Sequence, residues 1–182
     1  GSDEGVATYN LNTDQFKVNS SDFSSNQAKV PSWTGVTDIR FADKSSLWIA
    51  TNNGLLNYDY INNSTKRYIN RPDDPASISS NVITKIYPAK NYLWVGTLAS
   101  GLSRFDYTTQ KFEHFNSEPT ALSFLAEGKV NDIYEDNQNR IWVALQSGGL
   151  NLYSKQDGNF IQFKKDKSNP FGLTSNDIAS IF

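Results

Sequence analysis

Few residues in this 182-residue chain could perform acid–base or metal chemistry. His114 is the only histidine and cysteine is absent, so a Ser-His-Asp triad or a thiolate metal site has almost nothing to build on. Adjacent carboxylates occur at Asp73-Asp74 and Glu135-Asp136, whereas a glycosidase needs two carboxylates held a defined few ångströms apart across a cleft. Prolines flank Asp73-Asp74, which is typical of a turn. We therefore expect recognition rather than catalysis, with no catalytic residue, no metal and no cofactor.

Aromatic rings could bind a ligand by stacking, and three tryptophans recur at a fixed place. They stand in the segments LWIAT, LWVGT and IWVAL as Trp48, Trp94 and Trp142, which lie 46 and 48 residues apart. Each tryptophan sits inside an apolar stretch, where core burial is the commoner role. Their regular spacing indicates a structural repeat more than a set of binding rings.

Two further landmarks repeat in phase with the tryptophans. Gly54, Gly101 and Gly149 are 47 and 48 residues apart and begin the segments GLLNYD, GLSRFD and GLNLYS. Upstream of each tryptophan stands a Val/Ile pair, and a fourth pair ends the chain: Val36 and Ile39, Ile83 and Ile86, Val130 and Ile133, Ile178 and Ile181. With a closing aromatic segment, each unit contains four short candidate strands joined by Asn, Asp, Gly and Ser turns, which predicts antiparallel hairpins. The three-residue spacing within each Val/Ile pair departs from strand alternation, and a β-bulge would explain it.

Four-stranded units of about 47–48 residues are typical of β-propeller blades, so we predict an all-β propeller. The predicted units are the last two strands of a blade at 1–32, complete blades at 33–78, 79–126 and 127–173, and the first strand of a further blade at 174–182. This number is too small for a closed ring, which has at least about four blades. We therefore expect a fragment of a larger propeller, and a dimer in which two copies complete a ring is the alternative.

Charge and composition exclude several classes of partner. With 17 basic and 19 acidic residues the net charge is −2, which gives no electrostatic basis for binding nucleic acid. No apolar run approaches the roughly 20 residues that span a bilayer. The chain begins Gly1-Ser2 and lacks methionine, so we expect it to be a piece of a longer protein.

The repeat units resemble two-component regulator propeller repeats. The segments that carry the resemblance are VTDIRFAD followed by LWIATNNGLLNYD, LWVGTLASGLSRFD, and VNDIYEDNQNRIWVALQSGGLNLYS. The sequence departs from the family pattern where Ala50 and Ala144 replace glycine, Leu145 replaces threonine and Ser154 replaces aspartate. The resemblance implies the periplasmic sensor region of a membrane-anchored hybrid two-component histidine kinase of Bacteroidetes. Such a region would recognise oligosaccharides and control polysaccharide-utilisation genes.

Ligand contacts are expected in the loops that join one blade to the next, because binding residues concentrate in loops on a rigid scaffold. The three long loops are residues 70–81, 116–129 and 164–176. Within them Arg71, Phe124 and Phe171 could supply a charged fork or a stacking surface. Two alternatives to ligand sensing remain open, a protein–protein interaction scaffold and a carbohydrate-active propeller enzyme.

Overall fold

The computed structural model describes residues 35–115, 125 and 128–182, together with the backbone of residues 6–10 and 15–19. Throughout these ranges the chain forms strands, turns and loops, and none of them contains a helix able to cross a membrane. The strands are β1 Val6–Asn10, β2 Gln15–Asn19, β3 Val36–Phe41, β4 Ser46–Thr51, β5 Gly54–Asp59, β6 Ser64–Tyr68, β7 Ile83–Pro88, β8 Tyr92–Thr97, β9 Leu102–Asp106, β10 Phe112–Phe115, β11 Val130–Glu135, β12 Ile141–Leu145, β13 Gly149–Tyr153 and β14 Phe160–Phe163.

The strands form three antiparallel sheets of four, each a simple meander. Strands β3–β6 form the first blade, β7–β10 the second and β11–β14 the third, while β1 pairs with β2. These sheets confirm the predicted all-β fold of four-stranded propeller blades. They lie within the predicted units 33–78, 79–126 and 127–173, whose boundaries stay predictions.

The first strand of every blade carries a β-bulge. The register shifts between Val36 and Asp38 in β3, and at the equivalent positions in β7 and β11. An extra residue in one strand rotates the side chains that follow. The bulge therefore explains why the Val/Ile pairs are three residues apart and confirms that prediction.

The glycine landmarks hold the turn between the second and third strands of each blade. Gly54, Gly101 and Gly149 have φ angles of 106°, 68° and 74°, in the left-handed region that side chains other than glycine rarely adopt. A Cβ atom added at Gly149 would lie 2.3 Å from the carbonyl oxygen of Phe163. The repeated glycine thus meets both a backbone requirement and a steric one.

The two ends of each blade carry different connections. At one end, here called the hairpin end, lie the turn between strands one and two and the turn between strands three and four. In the second blade a hydrogen bond joins these two turns, because Tyr107 N–H donates to the carbonyl of Asn91 at 3.3 Å. At the other, the connector end, lie the turns between strands two and three and the loops between blades. There Gly149 N–H donates to the carbonyl of Asn176 at 2.8 Å.

The apolar core lies between blades, as the alternation in β4 predicts. Trp48 and Ala50 pack against residues of the second blade, while Leu47 and Ile49 belong to a separate cluster on the opposite face. Trp94 occupies the equivalent place between the second and third blades. Burial of both sheet faces is what adjacent propeller blades require.

Repeated hydrogen bonds join the inner strands of successive blades. The carboxylate of Asp38 accepts the N–H of Ile86 at 3.2 Å, and that of Asp132 accepts the N–H of Ile181 at 3.0 Å. The Asn131 amide donates to the carbonyl of Ile178 at 2.9 Å, as threonines do in the two preceding blades. Residues 174–182 form no strand in the structure, yet Ile178 and Ile181 make the bonds of an inner strand. These bonds place the segment beside the third blade, and its assignment to a further blade stays a prediction.

Turn aspartates are held as carboxylates by hydrogen bonds from residues that follow them. Backbone and side-chain groups two or three positions ahead lower the pKa of Asp43, Asp59, Asp106 and Asp166 below its usual value. At Asp136 desolvation opposes the shift, but hydrogen bonds from Trp142 and Arg140 outweigh it and lower the pKa. Asp43 and Asp136, which follow the first strand of their blades, are therefore turn formers.

We predict that the chain loses stability in acid because of these turns. A lowered pKa means that the carboxylate stabilises the folded state above the ordinary value of 3.8, and that this contribution is lost as the pH falls through the folded-state pKa. Urea unfolding from pH 7 to pH 3 should show a free energy that is level down to about pH 5 and falls below about pH 4. A variant with Asp59→Asn and Asp106→Asn should show a shallower fall. The same steep fall in that variant would contradict the assignment.

Candidate ligand-binding site between the second and third blades

A pocket of about 610 Å³ opens at the hairpin end, between the second and third blades. The second blade contributes Ala89, Lys90, Asn91, Tyr92, Trp94 and Arg104. The third blade contributes Glu135, Asn139, Ile141, Tyr153 and Lys155. Its volume is within the range of pockets that enclose small ligands.

The pocket opens where the junction of the second and third blades differs from the junction before it, and residue 155 is one of the positions that differ. At the junction of the first and second blades, Tyr107 stacks on Trp48 with ring centroids 6.5 Å apart and an interplanar angle of 19°. Burial raises the pKa of Tyr107 to about 12. Asp106, just before Tyr107, accepts the N–H of Gln110, and Ser154, just before Lys155, accepts the N–H of Gly158. Because the two turns share this hydrogen bond, Tyr107 and Lys155 occupy equivalent positions. Lys155 is exposed and leaves the space beside Trp94 open.

Arg104 forms a fixed, charged part of the pocket wall. Its guanidinium carbon lies 4.4 Å from the ring centroid of Tyr92 and 5.5 to 5.6 Å from the centroids of Trp94, Phe115 and Tyr153. One nitrogen donates to the Tyr153 hydroxyl at 2.9 Å. A planar guanidinium stacks well on aromatic faces. The Arg104 side chain is only 17% exposed. These contacts fix its orientation before any ligand arrives.

The charge of Arg104 is balanced by one carboxylate. Its second terminal nitrogen forms an ion pair with Glu113, directly opposite on β10. In the first blade the same cross-strand pair is Asn57 and Lys66, and in the third it is Leu152 and Ile161. The arginine and its partner are therefore particular to the second blade.

The lining combines an aromatic ring with a polar rim. Tyr92 is the half-buried ring of the lining, whereas Trp94 and Tyr153 are 2% and 7% exposed and lie behind Arg104. Amide, ammonium and carboxylate groups stand around the opening: Lys90, Asn91, Glu135, Asn139 and Lys155. A sugar has apolar C–H faces and hydroxyl edges, and an accessible ring with convergent polar groups matches both. Among the lining residues Glu135 is the one carboxylate, so the paired carboxylates of glycoside hydrolysis are not assembled here.

Three findings relate the chain to known proteins. Residues 125–146 match the family described as two component regulator propeller. A histidine kinase of Formosa agariphila is 31% identical over 147 residues, which cover 79% of this chain and 10% of that protein. The extracellular domain of a hybrid two component system from B. thetaiotaomicron superposes with a TM-score of 0.74 at 25% identity, over 88% of this chain and 22% of that domain. One segment of this chain thus matches the two-component regulator propeller family, and most of the chain is similar to a histidine kinase and to the extracellular domain of a two component system.

The chain is homologous to the extracellular domains of hybrid two-component sensor histidine kinases, as the resemblance predicted. PorZ, a surface component of the type-IX secretion system of Porphyromonas gingivalis, has the same fold with a TM-score of 0.70 at 16% identity, over all of this chain and 27% of that protein. The chain spans a tenth of the length of the histidine kinase and about a fifth of the extracellular domain.

Arg71 and Phe171, two of the loop residues predicted from the sequence, lie outside the pocket. Arg71 is exposed in the loop after β6, where it forms an ion pair with Asp74 at 3.9 Å. Phe171 is 97% exposed in the loop after β14. Phe124 lies outside the described residues. Both described positions belong to the connector end of the propeller repeats, and their role as ligand contacts stays a prediction.

The polar groups singled out for catalysis have structural partners. His114 Nδ1 lies 3.1 Å from the Ser103 hydroxyl, and Nε2 lies 3.1 Å from the carbonyl of Pro75. Ser103 is fully buried, so a serine nucleophile activated by this histidine could not reach a substrate. Asp74 accepts the N–H of Ala76 at 3.0 Å, as a turn former does. No group of metal-binding side chains occurs in the described part of the chain.

A second pocket of about 430 Å³ runs along the inner strands of the propeller repeats. The ammonium of Lys85 lies 3.2 Å from the Asp132 carboxylate and 4.0 Å from that of Asp38. These three residues occupy equivalent positions in successive blades. Arg40, which also lines the pocket, lies 3.4 Å from the Asp38 carboxylate. The two cations and two carboxylates balance, so this pocket offers less for a ligand to pair with.

Sequence inspection missed Tyr92, Arg104 and Lys155 because they stand on strands and in a hairpin turn rather than in long loops. One signal could have found two of them. In an alignment of the propeller repeats, Arg104 stands where the other units have Asn57 and Leu152, and Lys155 stands where they have tyrosine. Positions that depart from a repeat are candidates for function, since the shared positions already account for the blade core.

Proposed function

We propose that this chain is a ligand-sensing segment of an extracytoplasmic sensor in a hybrid two-component histidine kinase, and that the pocket between the second and third blades binds an oligosaccharide. The observation that supports the proposal is a pocket of about 610 Å³ in which the half-buried Tyr92 ring lies beside a polar rim contributed by both blades. The homologous extracellular domains support the location and the sensory role. The segment itself would be non-catalytic, and the output would be expression of polysaccharide-utilisation genes.

The proposed signal arises because the ligand contacts two blades at once. An oligosaccharide that touches Tyr92 on one side and Asn139 on the other stabilises one separation of the second and third blades. A ligand shifts an equilibrium between arrangements by its difference in affinity for them. A change at this junction would be transmitted along the propeller to the membrane-anchored kinase.

The proposal is tested by isothermal titration calorimetry with a panel of short neutral, uronate-containing and sulfated oligosaccharides. We expect at least one to bind with one site per chain and a Kd between about 1 µM and 1 mM. Binding should survive in Arg71→Ala and Phe171→Ala, the exposed residues of the opposite end. A panel that produces no binding heat and no change in the unfolding midpoint would refute the proposal.

Self-association is a second proposal, favoured by the outer face of the third blade. Trp142 is half-buried there beside Phe163, and Ile161 is 52% exposed, whereas the equivalent faces of the first two blades are covered by the next blade. A second copy covering this face would give a mass near twice 20.4 kDa in light scattering on a sizing column. A mass of one chain would oppose self-association and favour a further blade, which begins at 174–182, as the natural cover.

A further inference from the structure

The pocket is positively charged although the chain as a whole is not. Lys90, Arg104 and Lys155 line it together with a single carboxylate, Glu135, while the net charge of the chain is −2. A cleft lined mainly by one sign of charge raises the local concentration of ligands of the opposite sign. The excess of positive charge in the pocket is therefore local and does not follow from the net charge of the chain.

Two of the three cations remain available to a ligand. Arg104 is paired with Glu113 and bonded to Tyr153. Lys90 and Lys155, in contrast, have no ion pair among the described residues. They come from different blades, one on the β7–β8 turn and the other on the β13–β14 turn.

The neighbouring junction shows that the space and the charge arise together. There the equivalent of Lys155 is Tyr107, a ring that fills the gap over Trp48 and carries no charge at neutral pH. Replacing the tyrosine by lysine opens the gap and adds an ammonium group at its mouth. A small uncharged side chain at position 155 would also leave the gap open, so the ammonium group is not required for the opening alone.

We infer that the pocket selects oligosaccharides that carry an acidic group, a uronate carboxylate or a sulfate ester, which Lys90 and Lys155 bind at the mouth, beside Tyr92. This inference rests on the proposed function and narrows it to a ligand class. Lysine binds either anion as a compact point charge, so both acidic groups remain within the class.

The test compares acidic and neutral oligosaccharides of equal length by calorimetry, using a galacturonate oligomer, a sulfated oligomer and a neutral glucan. We expect an acidic oligomer to bind at least about tenfold more tightly than the neutral one, with the advantage falling as salt is added. The double variant Lys90→Gln with Lys155→Gln should lose about tenfold in affinity for the acidic oligomer, since each exposed ion pair contributes modestly. The matched control is Lys44→Gln, a lysine of the equivalent turn in the first blade, which should bind as the unaltered chain does.

Each outcome separates this inference from the proposed function. Equal binding of acidic and neutral oligomers, or full acidic binding by the double variant, would overturn the inference while the proposed function stands. Absence of binding by every oligomer would overturn both. Preference for the galacturonate or for the sulfated oligomer would identify which acidic group is recognised.

Discussion

Replacing Lys155 with tyrosine should abolish oligosaccharide binding, with at least about a hundredfold loss of affinity. The reason is that Tyr107, at the same place in the preceding blade, already shows what such a ring does: it stacks on Trp48 and fills the junction. A tyrosine at 155 would occupy the space beside Trp94 that forms the pocket. Its burial should leave the free energy of unfolding unchanged or raise it by up to about 1 kcal/mol. Calorimetric titration and urea unfolding measure the two effects separately.

The control for this substitution is Lys155→Gln, which removes the charge but leaves the pocket open. Binding of a neutral oligosaccharide should persist in the glutamine variant and disappear in the tyrosine variant. If the tyrosine variant bound a neutral oligosaccharide with unaltered affinity, the ligand would have to bind elsewhere on the blades.

The largest loss of stability is expected for Trp94→Ala, about 3–5 kcal/mol. Trp94 is 2% exposed and contacts the rings of Tyr153 and Phe115 at centroid distances of 5.0 and 5.6 Å. It lies between the second and third blades, so its removal leaves a cavity that rigid sheets on both sides cannot fill. Urea unfolding followed by far-ultraviolet circular dichroism measures the loss.

The matched control is Trp142→Ala, the same substitution at the equivalent position of the third blade. Trp142 is half-buried, so its removal should cost about 1–2 kcal/mol through lost contact with Phe163 and the lost bond from its indole N–H to Asp136. Equal losses at the two positions would show that the outer face of the third blade is already covered in solution. That result would favour self-association over an open face.

The fold was predictable because the features that determine it repeat. The alternation in LWIAT predicts two buried sheet faces, and the structure places Trp48 and Leu47 in different clusters. Gly149 could be assigned to a turn because only glycine tolerates both its φ angle and the nearby Phe163 carbonyl. Even the irregular spacing of Val36 and Ile39 indicated the bulge. A pattern that occurs several times in phase outweighs the uncertainty of each copy.

The candidate site was less predictable because it depends on a difference between repeats and on contact between blades. In the sequence Lys155 looks like a solvated turn lysine. Its importance becomes clear only when it is compared with Tyr107, which fills the equivalent junction. Arg104 looks like an exposed strand residue, yet four rings from two blades surround it. Sequence patterns describe single blades well, whereas a pocket between blades requires knowing which turns meet. Because binding residues often lie in long loops, the sequence predicted ligand contacts at Arg71 and Phe171, which lie at the connector end.

Whether the pocket between the second and third blades binds an oligosaccharide is tested most directly by the backbone amide chemical shifts of the ¹⁵N-labelled chain, titrated with the tightest-binding oligomer of the panel. Binding in the pocket should produce saturable shifts that concentrate at residues 89–92, 135–141 and 153–155, on both sides of the pocket. Shifts confined to the connector loops at 70–81 and 164–176, or no shifts at saturating oligosaccharide, would contradict it.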